Sequence, residues 1–233
     1  MKVKFMKWLL EKYNVKNIKP YLWIFSIGIS SICYFFINNY QNPKLHSLYT
    51  DIDDLIPFVS VFIIPYMMYM PNLIISLIIM CYCDEERYFI SLLTLNIVNC
   101  ICLIIYLNFQ TYVPRPIIIH DDFLCNFVKF IYGRDNPYNC FPSIHVAATF
   151  SALKGINKLK NMPTKYKIGF NIVGWLIIIS TQFVKQHVII DLLAGLVLVE
   201  AVYKIIEYLF YNKNYLKGFI KNKKKDDEKG MAQ

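Results

Sequence analysis

The sequence of 233 residues is 56% hydrophobic and 16% aromatic, and only 18% of its residues are charged. This composition lies outside the range of ordinary soluble domains, and with 8 glycines and 10 prolines the chain is neither collagen-like nor disordered. The 25 lysines and arginines exceed the 16 acidic residues, but the aromatic residues lie in long apolar runs rather than between positive charges. This arrangement argues against nucleic-acid binding and leaves a multi-span membrane protein as the remaining class.

The predicted elements follow one another along the chain as amphipathic or apolar helices. Residues 1–20 set aromatic and apolar side chains among lysines, which predicts a segment lying in the cytoplasmic membrane interface. The basic segment 212–233 is predicted to be a disordered cytoplasmic tail. Between them, residues 21–211 are predicted to form one catalytic domain, an all-α polytopic membrane helix bundle. Its six predicted membrane-spanning helices cover residues 21–37, 55–81, 89–109, 143–156, 168–184 and 187–210.

Two of these predicted spans contain unusual residues. The second contains Pro65 and Pro71, which predicts a kink or a break. The fourth is short and contains Lys154, whose ammonium can extend into the headgroup region. If all six helices cross, most of the 25 basic residues lie on one face, and omitting the fourth span spoils this pattern. By the positive-inside rule, that face and both termini are cytoplasmic.

All four histidines fall on the opposite, extracytoplasmic face, and His145 and His187 lie at membrane depth. Ionisable groups are costly there and are functional by default. His187 and Asp191 are four residues apart, so on a helix the carboxylate can bind one ring nitrogen and leave the other free as a base or nucleophile. The alternative interpretation is a helix pair that only satisfies itself.

Two further polar elements lie on the same predicted face. Ser143 is suited to begin a helix, whose exposed N–H groups form an anion site beside His145. Arg115 stands between Pro114 and Pro116 on a stiff turn, and its guanidinium is suited to bidentate phosphate binding. Structural interpretations are a helix cap for Ser143 and an anchor on lipid phosphate for Arg115. Three such elements on one face favour an active site for phosphate chemistry.

In order and spacing, these elements resemble the three motifs of the type 2 phosphatidic acid phosphatase family, which shares its helical fold with vanadium haloperoxidases. The motifs are usually written K-x6-R-P, P-S-G-H and S-R-x5-H-x3-D. The resemblance implies that His187 is a nucleophile that forms a phosphohistidine, that Asp191 orients it and that His145 protonates the leaving oxygen. It also implies that Arg115 and Ser143 hold phosphoryl oxygens, and that neither a metal nor another cofactor is required.

The resemblance covers about residues 56–195 and includes three departures. Asn108 replaces the first-motif lysine, Ile144 the second-motif glycine and Thr181 the third-motif arginine, so two phosphate-binding cations are missing. Lys185 either replaces one of them in phosphate binding or is an interfacial anchor. These variants resemble the branch that includes inositol phosphorylceramide synthases, which transfer a lipid phosphoryl head group to an alcohol. Loss of positive charge weakens binding of a dianionic monoester more than of a monoanionic diester, which keeps a transferase open.

Other polar residues receive other interpretations. The His-Asp-Asp sequence at residues 120–122 does not define a metal-ligand geometry, so no metal site is predicted there. The three aspartates within residues 51–54 are interpreted as a solvated outer loop or a substrate-entry rim. Cys125 and Cys140 share one polar loop, and a disulfide between them is left open because it requires an oxidising compartment.

The favoured function is that of a membrane lipid phosphate or pyrophosphate phosphatase acting at the extracytoplasmic face of the cell membrane. The alternative is head-group transfer through the same phosphohistidine. A less favoured alternative is a noncatalytic lipid-binding or lipid-translocating relative. The expected partners are the bilayer and a lipid phosphate substrate, with no nucleic acid; lipid tail, head group and oligomeric state are left open.

Overall fold

A computed structural model of the chain describes residues 22–40 and 44–230, with side chains up to residue 212. The predicted interfacial segment 1–20 lies outside these residues. The predicted basic tail 212–233 lies almost wholly beyond the described side chains. Both therefore stay predictions.

The chain is mostly helical, as predicted. Each of the six apolar runs contains a helix, and two short strands, β1 and β2, pair in parallel with His46 opposite Thr111. The elements, in chain order, are α1 (Phe25–Asn38), β1 (His46–Ser47), α2 (Asp51–Asp54), a 3-10 turn (Ser60–Phe62), α3 (Ile63–Met67), α4 (Tyr69–Cys83), α5 (Glu85–Asn108), β2 (Thr111–Tyr112), α6 (Phe123–Tyr132), α7 (Ile144–Lys158), α8 (Thr164–Phe183) and α9 (Ile189–Gly230).

Two segments of the described chain are long and apolar enough to cross a membrane, Ser60–Cys83 and Glu85–Asn108. By length, α1 has 14 residues and α7 has 15, both below the number that ordinarily spans a bilayer. Six membrane-spanning helices are therefore not confirmed by length and composition.

The predicted break in the second apolar run is present. The run is divided into the 3-10 turn, α3 and α4, and the last boundary falls at Met68. Pro65 lies in the first turn of α3, and Pro71 lies in the first turn of α4. A proline is tolerated in a first turn because its missing N–H has no intrahelical acceptor there.

The core is built around α7, which packs against α4, α5, α8 and α9. Small buried residues, Ala147, Ala148 and Ala152, let the neighbouring helices approach α7 closely. At Gly155 the approach is closest, because a Cβ there would lie 2.1 Å from Met80 Sδ and 2.3 Å from Ser91 Oγ. The close packing of α7 against α4 and α5 therefore depends on the absence of a side chain at this position.

Large apolar side chains remain exposed on the outer faces of the helices. On α1, Phe25 is 73% exposed and Phe36 is 68% exposed, and on α9 Val197 is 68% exposed. Similar residues line the outer faces of α5 and α8, including Ile104 and Ile172. A continuous apolar exterior of this kind is typical of contact with lipid rather than with water.

Basic and acidic side chains pair at the end of the bundle where α7 ends and α5 begins. Glu207 of α9 forms ion pairs with Arg87 and Lys158, and Glu200 pairs with Lys154 and Lys204. These cations are among those that the charge pattern assigns to the cytoplasmic face. The carboxylates of α9 therefore hold four cations together at this end of the bundle.

One helix was missed. The stretch that carries Cys125 and Cys140 was interpreted as a polar loop, but it includes α6. Its signal is the spacing of Phe123, Phe127 and Phe130, which stack along one side of the helix. Asp122 caps its first turn by accepting hydrogen bonds from Leu124 N and Cys125 N, both at 3.0 Å.

Replacement of Gly155 by alanine is expected to destabilise the fold by about 1–3 kcal/mol, because the added methyl overlaps Met80 and Ser91. Gly169→Ala is the matched control: Gly169 also lies within a helix but has no atom within 4 Å of its would-be Cβ, so this change should be neutral or stabilising. Thermal unfolding in detergent measures both variants. Equal unfolding temperatures for the two variants would contradict the packing described here.

Candidate active site

The loop between α8 and α9 presents His187 at the start of α9. His187 and Asp191 are both buried. Two carboxylates cap this helix: Val188 N donates to Asp191 Oδ2 at 3.1 Å, and Ile189 N donates to Asp53 Oδ1 at 2.8 Å. Because the first N–H groups of the helix are held, the position of His187 is defined.

One ring nitrogen of His187 faces two acceptors. His187 Nδ1 lies 3.1 Å from the carbonyl oxygen of Cys140 and 3.4 Å from Asp191 Oδ2. Neither oxygen can donate when the carboxylate is ionised, so these partners assign the hydrogen to Nδ1. In a neutral imidazole, Nε2 then has a free lone pair. The His-x3-Asp spacing predicted the carboxylate, whereas the Cys140 carbonyl was not predicted.

The two histidines of the predicted site contact each other. His145 Nδ1 lies 3.3 Å from His187 Nε2, and the hydroxyl of Tyr66 lies 3.1 Å from His145 Nε2. Since His187 Nε2 is an acceptor, His145 Nδ1 is the donor, and His145 Nε2 accepts from Tyr66. A chain of hydrogen bonds thus runs from Tyr66 through both histidines to Asp191. The sequence analysis missed Tyr66.

Ser143 forms the N-cap of α7, as predicted, and its hydroxyl accepts from Val146 N at 3.3 Å. Its own N–H donates to the backbone oxygen of Asp191 at 3.2 Å, which ties the beginning of α7 to the first turn of α9. The backbone approach is close, because a Cβ at Gly195 would lie 3.0 Å from the Ser143 carbonyl oxygen. Two helix N-termini therefore meet beside the histidine pair.

Arg115 lies between the end of α6 and the loop that carries His187. Its Nη1 donates to the carbonyls of Tyr132 and Asp135 at 3.1 and 2.8 Å, and its guanidinium stacks over the Tyr132 ring at 4.3 Å. Its Nη2 donates to Gln186 Oε1 at 2.6 Å, whereas its buried Nε has no partner among the described residues. The stiff turn predicted around Arg115 thus has contacts that hold the guanidinium next to the residue preceding His187.

Gln186 is a site residue that the sequence analysis missed. Its side chain is 4% exposed, its Oε1 accepts from Arg115, and its Nε2 is buried without a partner among the described atoms. An unpaired buried N–H group is costly, so this donor is available to an anionic ligand. A polar residue directly before the motif histidine was the available signal.

Lys185 has a positive φ of 51° and directs its ammonium to the backbone oxygen of Asp53 at 2.8 Å. Partial burial lowers the pKa of Lys185, and the nearby carboxylates of Asp53 and Asp54 oppose this effect. The structure therefore records a contact of Lys185 with the outer turn α2, and a role in phosphate binding stays a prediction.

Asp53 differs from its interpretation as a solvated outer residue or an entry rim. It is 3% exposed, because its Oδ2 accepts from Thr50 N and Thr50 Oγ1 while its Oδ1 caps α9. Asp51 and Asp54, in contrast, are exposed. The three aspartates differ in exposure because the short helical turn α2 directs only one of their carboxylates inward.

The structure also places the His-Asp-Asp sequence and the two loop cysteines that the sequence analysis considered. In the His-Asp-Asp sequence at residues 120–122, the second aspartate caps α6 and the first lies 3.5 Å from Lys129, with no metal-ligand cluster there among the described residues. Cys125 and Cys140 are free thiols. A different set, Cys140, His187 and Asp191, has ligand atoms within 4.8 Å of one another, and burial raises the pKa of the Cys140 thiol.

Comparisons with known proteins identify the superfamily of this chain. The sequence model of the PAP2 superfamily matches residues 52–205, which run from α2 through α8 into the first part of α9 and include every site residue predicted above. No curated protein and no solved structure matches the chain significantly. Superfamily membership supports a phosphatase-type enzyme, and the apolar helices support association with a membrane. The family match spans well over half of the sequence, and the chain belongs to the PAP2 superfamily.

Proposed function

We propose that the protein is an integral-membrane lipid phosphate or pyrophosphate phosphatase that acts through a phosphohistidine on His187. The observation that carries the proposal is the hydrogen-bond pattern of that residue: Nδ1 faces Asp191 and the Cys140 carbonyl, so Nε2 keeps its lone pair, which accepts from His145 Nδ1 in the absence of substrate. A nucleophile held in one tautomer by an orienting carboxylate follows the general logic of covalent catalysis.

In the first step, His187 Nε2 attacks phosphorus, and the bond to the lipid ester oxygen, or to the bridging oxygen of a pyrophosphate, breaks. His145 takes up a proton from solvent at Nε2 when substrate binds, and its Nδ1 proton passes to the departing lipid alkoxide, or to the departing lipid phosphate of a pyrophosphate. In the second step, His145 removes a proton from water, and the resulting hydroxide displaces the phosphoryl group from His187. The direct contact of 3.3 Å between the two imidazoles opens in this scheme, so that the phosphoryl group can enter between them.

Charge on the pentavalent transition state needs nearby donors. Arg115 retains its Nε–H and one Nη2–H beyond its observed contacts, and Gln186 retains its Nε2–H groups. The N-terminus of α7, capped by Ser143, supplies oriented backbone dipoles. Lys185 is proposed to join them when substrate displaces its contact with the Asp53 carbonyl.

A bilayer setting for this chemistry is supported by the exposed apolar side chains on α1, α5, α8 and α9. We propose six crossings, with both termini cytoplasmic and the histidine pair at the extracytoplasmic interface. The support is the clustering of Arg87, Lys154, Lys158 and Lys204 with two glutamates, away from the histidines. Short helices such as α7 cross if the bilayer thins or if flanking lysines reach the headgroups.

Head-group transfer is a second candidate, favoured by the side chains that replace the missing cations. Asn108 Nδ2 donates to the Ile104 carbonyl, and Thr181 Oγ1 donates to the Ile178 carbonyl, so each is bound to its own helix. A less positive site suits a monoanionic diester, as a transferase substrate would be.

A noncatalytic relative is the third candidate, and the continuous hydrogen-bond chain through both histidines argues against it.

His187→Ala and His145→Ala are each expected to lower the rate of phosphate release by at least ~100-fold, because one removes the nucleophile and the other the acid. The assay uses purified protein and a panel of lipid phosphates and pyrophosphates. His120→Ala, at an exposed position outside the site, is the control and should retain the wild-type rate. Wild-type rates in both site variants would refute the proposed mechanism.

Phosphate release is expected to persist in EDTA, because the proposed steps use protein groups only. The measurement compares initial rates before and after chelation, and then after addition of zinc, magnesium or manganese. Loss of activity on chelation with recovery by one ion would instead assign Cys140, His187 and Asp191 to a metal.

Addition of a short alcohol tests the covalent intermediate and the choice between water and alcohol. Two substrates with the same phosphoryl group but different leaving lipids should give one common ratio of alkyl phosphate to free phosphate, since both pass through the same phosphohistidine. A ratio that changes with the leaving lipid would exclude a shared intermediate. Transfer without free phosphate would select the transferase.

A further inference from the structure

An open cavity of about 360 Å³ lies between α1 and the end of α6 and reaches His145. Tyr66 lines it together with Asp135, which follows α6 in the chain. Asp135 is the one acidic residue in the described lining. The steps proposed above require a proton from solvent at His145 Nε2, and this cavity is a route by which the proton can arrive.

The hydroxyl of Tyr66 covers the ring nitrogen that takes up this proton. An imidazole nitrogen has a single lone pair in the ring plane, and the lone pair of His145 Nε2 accepts from Tyr66 at 3.1 Å. The other ring nitrogen faces His187 at 3.3 Å. Tyr66 is buried, and its hydroxyl has no second hydrogen-bond partner among the described residues. A proton that reaches Nε2 therefore has to pass through this hydroxyl or displace it.

Asp135 has one carboxylate oxygen that is held and one that is not. Its Oδ1 accepts from the Tyr34 hydroxyl and from Asn38 Nδ2, both at 2.8 Å, whereas its Oδ2 has no partner within the described part of the chain. Burial raises the pKa of Asp135, and the hydrogen bond from Tyr34 and the charge of Arg115 oppose this effect. The carboxylate therefore takes up a proton more readily than that of an exposed aspartate.

The unpaired oxygen of Asp135 is not neutralised by the adjacent cation. The guanidinium of Arg134 also lines the cavity, but it stacks over the Phe130 ring at 4.9 Å and forms no ion pair with Asp135 in the described structure. A carboxylate close to the site of an anionic substrate is unfavourable by Coulomb's law. A role in proton transfer, in which the carboxyl is neutral for part of the cycle, accounts for its position.

We propose that this cavity supplies the proton of the general acid, with Asp135 taking a proton from solvent and Tyr66 passing it to His145. The inference rests on the proposed function and assigns the protonation of its acid to two positioning residues. The hydroxyl hydrogen of Tyr66 moves to His145 Nε2 while the tyrosine oxygen receives the proton of Asp135 through cavity water, so the hydroxyl and the carboxylate are both restored. The tyrosine oxygen then accepts from the new Nε2–H and stabilises the imidazolium.

The leaving group of the substrate separates a proton relay from a merely structural role. Hexadecyl phosphate releases an alkoxide that requires an acid, whereas a dodecyl-substituted nitrophenyl phosphate releases a stable phenolate that does not. Tyr66→Phe should lower the first-turnover rate of hexadecyl phosphate at least ~10-fold and change that of the nitrophenyl substrate by less than about 2-fold. Equal losses with the two substrates, or no loss with either, would refute the relay.

Tyr69→Phe is the matched control. The Tyr69 ring packs against His145 in a T-shaped arrangement at a centroid distance of 4.8 Å, close to the 5.1 Å of Tyr66, but among the described contacts no hydrogen bond joins its hydroxyl to the imidazole. This variant removes the same hydroxyl group from a neighbouring ring, so both rates should remain those of the wild type. Equal loss of hexadecyl phosphate turnover in Tyr66→Phe and Tyr69→Phe would overturn the proposal.

Asp135→Asn tests the other end of the relay, because it keeps an oxygen for Tyr34 but cannot carry a proton. It should lower the first-turnover rate of hexadecyl phosphate about 10-fold and spare the nitrophenyl substrate, whereas Asp121→Asn, at an exposed position outside the cavity, should change neither. An unchanged hexadecyl rate, or an equal loss with both substrates, would remove Asp135 from the relay. Wild-type protein that releases product from neither substrate would instead refute the proposed function, and the relay with it.

Discussion

The account depends on one hydrogen atom, the one that His187 Nδ1 shares between the Cys140 carbonyl and Asp191. Its location leaves Nε2 as an acceptor, and this in turn makes His145 a donor toward His187 and an acceptor from Tyr66. In this series of hydrogen bonds, the donor or acceptor role of each group therefore follows from that of its neighbour. Placed between the two imidazoles, a phosphoryl group would face a lone pair on one side and a proton donor on the other.

The loop that carries His187 is held from two directions. On one side, Asp53 caps α9 with its carboxylate and accepts from Lys185 with its carbonyl. On the other side, Gln186 accepts from Arg115, which also binds the carbonyls at the end of α6. Rigid support of this kind matters because small displacements of a nucleophile cost much of its reactivity.

Sequence patterns predicted the elements that depend on local chemistry. Apolar runs predicted the helices, Pro65 and Pro71 predicted the break in the second run, and the spacing of His187 and Asp191 predicted their contact. The Cys140 carbonyl and Tyr66 are distant in sequence and meet the site only through tertiary packing, so they were not predictable. Gln186 is adjacent to His187, but its partner Arg115 lies 71 residues away. The burial of Asp53 was not predicted, because the sequence does not distinguish it from the two neighbouring aspartates, although it is the one of the three that turns inward. The apolar pattern also could not determine the number of membrane crossings. The helices α1 and α7 are short, and packing against their neighbours decides whether they span.

The most direct measurement traps the intermediate. Protein mixed with a lipid phosphate carrying radiolabelled phosphorus is quenched in alkali during the first turnover and then mapped by peptide mass spectrometry. The account predicts an acid-labile, alkali-stable label on His187, attached at Nε2, and no label in His187→Ala. Label on another residue, attachment at Nδ1, or complete first-turnover phosphate release without labelled protein would contradict it.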